Sequence, residues 1–247
     1  MTFGRTLPVL MYHHISPQPG LVTCSPENFR SQMAWLAENG WQTLSSAAFA
    51  AAVDNGVIPD KSVLLTFDDG YLDNRVHAQA ILQEFGLRAT IFVITAWLGN
   101  GPARPLAGQA GAPALPDHRQ AMRAVSAGRY DDAFLRWSEV EAMRAGGVFD
   151  FHSHTHTHTR WDRQIADPAA RRSALATDLA QSRAVLSERL GESSSHLCWP
   201  QGYYDASYQQ IAAAAGFRHL YTTEHGVVRA NVDPARIPRL VVKDKPA

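Results

Sequence analysis

Two hydrophobic rhythms alternate along this chain. Short runs rich in branched and aromatic residues predict strands at 9–12, 41–44, 62–67, 89–94, 148–154, 196–199, 219–222 and 240–242. Between them, apolar residues return at helical spacing. Ser25 before Pro26 opens a helix that places Phe29, Met33 and Leu36 on one face and stops at Asn39-Gly40. An alanine-rich helix is expected over 46–53. Another runs over 71–85, with Ala78, Ile81, Leu82 and Phe85 inward and Gly86 as its stop. Ser138 is the expected cap of a helix through Val140 and Met143. The longest helix spans 168–190, with Leu175, Leu179, Leu186 and Leu190 in register, and Asp205 caps a last one through Ile211. Strand, helix, strand in repetition predicts a parallel α/β sheet built as one domain over residues 1–247, with roughly seven strands. Residues 99–117, dominated by Gly, Pro and Ala, break the rhythm. Together with one or two helices over 118–136 they read as an insertion forming a lid or rim, the alternative being a disordered spacer.

Composition narrows the function. With 23 basic and 23 acidic residues the formal charge is zero, which argues against a nucleic-acid binder driven by phosphate contacts. Cys24 and Cys198 are the only cysteines, so neither a disulfide framework nor a cysteine zinc cluster is available. No secretory leader and no run of transmembrane length is visible, and the expected location is cytoplasmic unless a leader has been removed.

The chemistry concentrates in two stretches. Val63 to Leu65 suits a buried strand, yet the run ends in Asp68-Asp69-Gly70. Adjacent carboxylates at a strand end are costly without a partner, although a plain Asp-Gly turn is the bland alternative. The second stretch, Phe151-His152-Ser153-His154-Thr155-His156-Thr157-His158, ends a strand whose alternation puts Asp150, His152 and His154 on one face. His154 and His158 with Asp69 would make a three-ligand metal site with room for water, leaving Asp68 as a base. A solvated histidine tract is the alternative, and His13-His14 at the end of the first strand is equally compatible with polar surface.

Thr66-Phe67-Asp68-Asp69-Gly70 resembles the first motif of the polysaccharide deacetylases (carbohydrate esterase family 4, the NodB-homology domain), and Ser153 to His158 resembles the second. The resemblance extends from Leu10-Met11-Tyr12-His13 to Ile237-Pro238-Arg239. It implies a distorted (β/α)7 barrel and metal-dependent removal of N-acetyl groups from a glycan, with acetate released. By the same resemblance Asp68 is the catalytic base and Asp69, His154 and His158 are the metal ligands. The pattern also fits two residues earlier, on His152 and His156. Trp199-Pro200-Gln201-Gly202 is similar to the third motif, so the Gln201 N–H, between Pro200 and Gly202, inherits the oxyanion role.

The chain departs from the family at two places. Cys198 stands where an arginine is usual, which makes Arg239 the candidate to orient Asp68. The final histidine motif is not seen near the C-terminus, and Met11-Tyr12-His13 resembles it instead, as in permuted poly-N-acetylglucosamine deacetylases. His13, rather than His14, is therefore the expected general acid, with a barrel-lining structural role as the alternative. The resemblance implies a divalent metal, zinc first, with cobalt, nickel or iron possible. It also implies an N-acetylhexosamine glycan as partner, whether a surface polysaccharide, a lipopolysaccharide precursor or a lipid-linked sugar. Hydrolysis of a small cyclic amide and a catalytically inactive carbohydrate binder are the alternatives.

Overall fold

The computed structural model describes residues 4–106, 108–191 and 193–247. In chain order the elements are β1 (Val9–Tyr12), β2 (His14–Ile15), β3 (Thr23–Cys24), α1 (Pro26–Glu38), β4 (Gln42–Thr43), α2 (Ser46–Asn55) and β5 (Ser62–Phe67). There follow α3 (Gln79–Glu84), β6 (Ala89–Val93), α4 (His118–Ser126), α5 (Trp137–Ala145), β7 (Phe149–Ser153), α6 (Trp161–Gln164) and α7 (Pro168–Leu190). The chain ends with β8 (His196–Cys198), α8 (Ala206–Ala214), β9 (His219–His225) and β10 (Ile237–Val241).

The main sheet runs β1-β10-β9-β8-β7-β6-β5 and closes through β1–β5, so seven parallel strands form a barrel. Val9 to Tyr12 pair with Leu64 to Phe67 at the closing seam, whereas β7 meets β8 at the single pair Ser153 and Leu197. The expected strand at 41–44 shrinks to β4, which pairs only with the start of β5 and is not a stave of the ring. It is short because Trp41 and Leu44 are spent on the helical layer and the α2 packing, leaving two residues to pair.

Strand alternation sorts the apolar side chains into two layers. Val9, Leu64, Phe92, Tyr221 and Ile237 pack together inside the ring. Val63, Leu65, Phe67, Ile91, Val93, Phe149 and Phe151 point outward and share a core with α1, α3 and α5. A small barrel of this kind is filled by its own side chains, so a ligand site can open only at its ends.

Two helix starts differ from expectation. Tyr71 is not helical but bridges antiparallel to Phe134, and the helix beyond it passes through a π-turn at Asn74–Ala78 before α3. Arg136, not Ser138, occupies the N-cap of α5: the Glu139 carboxylate accepts from the Arg136 N–H at 2.8 Å, while Ser138 donates to Gly101 O. Glu139 is drawn there because it also holds the insertion. Arg104 donates to both Glu139 oxygens (2.9 and 2.7 Å) and to the carbonyls of Asp131 and Phe134 (2.6 Å each). Glu139 is fully buried and Arg104 nearly so. The insertion is therefore pinned to the barrel by a buried ion pair.

Arg104→Met leaves that carboxylate the backbone N–H groups of residues 104 and 136 and, among the described residues, only Arg75 at 3.8 Å as a countercharge. The expected loss is about 3 kcal/mol or more, most of it recovered in Arg104→Met/Glu139→Gln, because a buried pair is worth little against apolar replacement while a buried orphan is expensive. Urea midpoints of the three proteins measure it, and equal losses in the single and double variants would refute the anchor.

Candidate active site

β5 delivers Asp68 and Asp69 to the C-terminal rim of the barrel, where both are buried. Arg239 reaches Asp68 from β10 as a two-pronged pair, Nη1 donating to Oδ1 at 2.7 Å and Nη2 to Oδ2 at 2.8 Å. Its Nε donates to Thr222 O, and Nη2 lies 3.0 Å from Cys198 Sγ. The small thiol at position 198 thus leaves the space through which the guanidinium passes. Burial alone would raise the Asp68 carboxyl, but Arg239 outweighs it and brings it down to about 2. Asp68 is a carboxylate throughout the neutral range.

Asp69 turns the other way. Its Oδ1 lies 3.3 Å from His154 Nε2 and 3.6 Å from His158 Nε2. His154 sits just past the end of β7 and donates from Nδ1 to Cys198 O at 2.9 Å, so that Nε2 is the nitrogen turned toward Asp69. Burial opposes charge on His154, yet Cys198 and Asp69 prevail and lift it above the usual histidine range. Burial, aided by neighbouring His154, pushes His158 down to about 4. His152 and His156 lie apart from this cluster. His152 bonds Ser194 Oγ inside the barrel, and His156 bonds Thr95 Oγ1.

The loop after β7 is held in an unusual shape. Asp178 of α7 accepts from the N–H groups of His156 and Thr157, the Thr157 hydroxyl and Trp161 Nε1 (2.8 to 3.0 Å). Sequence reading missed it, although an aspartate on the same helix face as Leu175, Leu179 and Leu186 was the available signal. Asp69, Thr155, His158 and Gln201 all have left-handed backbone, with φ of 75°, 66°, 59° and 54°. Such conformations cost about 1–3 kcal/mol each and gather where surrounding structure enforces them.

The rim is completed by Pro200–Gly202, a 3₁₀ turn whose own bonds use the N–H groups of Gly202 and Tyr203, not that of Gln201. Gly202 is required there: a Cβ would stand 2.0 Å from Thr223 Oγ1. His13 lies across from the turn with Nε2 3.8 Å from Asp68 Oδ2. Burial lowers its imidazole, with Asp68 and Asp69 pulling the other way. His14 is turned from Asp68 and bonds Asp73 instead, at 2.5 Å. His13, Asp68, Asp69, His154, His158, Gln201 and Gly202 line one cavity of about 590 Å³. Arg239 and Pro200 support it from behind.

Among the described residues two donor sets converge closely enough for a cation: Asp69, His154 and His158, and Asp68, His154 and Cys198, each with its ligand atoms within 4.8 Å of one another. The second set has a guanidinium already seated on both Asp68 and Cys198, which a cation would meet as a like charge. The first set offers two imidazole nitrogens and one carboxylate oxygen beside an open cavity, and it fits a divalent metal.

A closed barrel of seven parallel strands with a paired carboxylate beside an Asp-His-His cluster defines a barrel hydrolase. A family model for polysaccharide deacetylase matches residues 55–220, and the chain belongs to that family. It is 42% identical over 95 residues to YxkH of Bacillus subtilis (strain 168), an alignment covering 38% of this chain and 34% of that protein. It is 22% identical over 224 residues to the poly-beta-1,6-N-acetyl-D-glucosamine N-deacetylase of Staphylococcus aureus (strain MSSA476), covering 89% of this chain and 68% of that enzyme. The chain thus spans about a third of the first relative's length and about two thirds of the second's. Among solved structures, the Streptococcus pyogenes deacetylase PplD superposes with a TM-score of 0.76 at 23% identity over 98% of this chain and 93% of that one, a likeness of fold.

Proposed function

We propose that this protein hydrolyses the acetamide of an N-acetylhexosamine unit in a glycan, releasing acetate and leaving a free amino sugar. The observation that carries this reading is the division of labour between adjacent carboxylates: Asp68 is committed to Arg239, Asp69 to two histidines, in one cavity. The similarity to a poly-N-acetylglucosamine deacetylase over most of the chain supports the substrate class.

Asp69, His154 and His158 would hold a divalent metal, zinc by donor set, with cobalt, nickel or iron also suited. Bound there, the cation supplies Lewis acidity toward the acetamide carbonyl and the attacking water. Asp68, ionised and oriented by Arg239, accepts the water's proton. The Gln201 N–H, unused by its own turn, donates to the oxygen on which charge develops. His13, with Nε2 3.8 Å from Asp68 Oδ2, receives that proton when the pair closes on substrate and passes it to the departing amine, which reconciles a neutral resting imidazole with the role of acid.

Acetate release from N-acetylglucosamine oligomers should vanish on chelation and return with zinc. His154→Ala should lose bound metal and acetate release together, whereas His152→Ala should keep both, since His152 bonds Ser194 away from the cluster. Metal retained in His154→Ala and lost in His152→Ala would move the ligand set to the earlier register. Metal-dependent turnover of a cyclic amide but of no glycan would replace the substrate.

A further inference from the structure

The insertion contributes a wall to the cavity that the reaction scheme above does not use. On α4, His118, Met122 and Val125 fall at i, i+4 and i+7 and line the cavity together. Trp97, stacked on Tyr130 at 5.4 Å, lines it as well and approaches His158, with ring centroids 5.5 Å apart. The wall is apolar but for one imidazole, and that imidazole is held by a chain of hydrogen bonds.

Asp73 begins the chain. Its Oδ2 lies 2.5 Å from His14 Nδ1, and His14 Nε2 lies 3.3 Å from His118 Nδ1. A carboxylate can only accept, so in a neutral His14 the proton is on Nδ1 and Nε2 is the acceptor. His118 must then donate from Nδ1, which leaves its Nε2 as a lone-pair nitrogen. His14 is fixed in turn by stacking on Tyr71, with ring centroids 3.6 Å apart. Tyr71 lines the same cavity with its ring, and its hydroxyl is buried against Asp69.

We propose that His118 is a substrate-binding residue, an acceptor for a hydroxyl of the sugar, while the Trp97, Met122 and Val125 wall packs on its C–H face. Asp73 and His14 are positioning residues, which set the tautomer of His118. The inference rests on the reading of the substrate as an N-acetylhexosamine glycan and adds how the insertion selects it: a neutral, hydroxyl-bearing ring is favoured over a carboxylated one, which would set its charge against this acceptor and the apolar wall.

The test uses a β-1,6-linked N-acetylglucosamine pentamer and the zinc-loaded protein. In calorimetric titrations of the non-turnover Asp68→Asn protein, adding His118→Ala should weaken pentamer binding about three- to tenfold, the worth of one neutral hydrogen bond. His118→Gln, whose amide oxygen reaches as far as Nε2, should restore most of it. In the otherwise wild-type chain, His118→Ala should raise KM by a similar factor with kcat within about twofold, because a bond made equally in ground and transition states changes binding alone. Unchanged affinity in His118→Ala, no rescue by Gln, or no pentamer binding at all would overturn the inference. Acetate release by the wild type, measured alongside, shows separately whether the reading of the reaction stands.

Discussion

Asp68→Asn is expected to reduce acetate release by about 10²- to 10⁴-fold, the range over which a positioned general base contributes. Bound metal should not change. Asp68 is engaged with Arg239, and the cluster of Asp69, His154 and His158 does not draw on it. The amide keeps the carboxylate's shape and one acceptor for the guanidinium but cannot take a proton from water. Metal analysis and acetate assay on the same samples decide the matter. Activity within about tenfold of wild type would remove Asp68 from the chemistry, and loss of metal would mean that Asp68, rather than Asp69, is a ligand.

Arg239→Met is the second large effect, and it acts on stability and rate together. Asp68 would remain as a buried charge without its cation, an arrangement that costs about 3–5 kcal/mol. The pH dependence has a definite sign. The Asp68 carboxyl lies near 2 in the folded protein against 3.8 as its ordinary value. A depressed acid contributes stability that is fully present above the unfolded value and is lost as pH falls through the folded one. About 2 kcal/mol of the wild-type advantage should therefore be present above about pH 4 and disappear by about pH 2. Urea unfolding of both proteins across that window measures it. The acid limb of the activity profile should also move to higher pH in the variant, because burial without Arg239 raises the base. Arg239→Lys should recover little, since an ammonium cannot bond both carboxylate oxygens at once. A pH-independent stability difference would show that Arg239 acts by packing alone.

Much of this architecture could be read from the residues. The alternation of strand and helix patterns predicted a parallel sheet and the family resemblance a seven-stranded barrel, and the closed ring of seven parallel strands matches both. Thr66 to Gly70 and the histidine run lie at strand ends, as their residue types implied. The two histidine registers share one spacing, and only the match of Ser153-His154-Thr155 to the family motif favoured His154 and His158. In space a left-handed backbone at Thr155 and His158 swings the loop back over Asp69 and separates the two registers. The pairing of Asp68 with a residue 171 positions away has no local signal, and only the missing arginine at position 198 pointed to Arg239. The 41–44 strand was over-read because hydrophobicity reports burial, and the Trp41 and Leu44 side chains pack against the helical layer while only Gln42 and Thr43 pair as strand. Helices forming a rim over 118–136 were expected, but which α4 side chains face the cavity was not, because the Gly-, Pro- and Ala-rich stretch at 99–117 carries no period from which to place them. Arg104, buried against Glu139 on α5, pins that stretch.

The position of Arg239 on β10 ties chemistry to assembly. β10 is inserted between β9 and β1, so the guanidinium arrives only when the first and last staves of the barrel meet. A nascent chain that has already laid down β5, β7 and β8 carries Asp68, the histidines and the Pro200–Gly202 turn, yet it lacks the guanidinium that seats Asp68. The last strand of the ring thus brings the countercharge on which the proposed base depends.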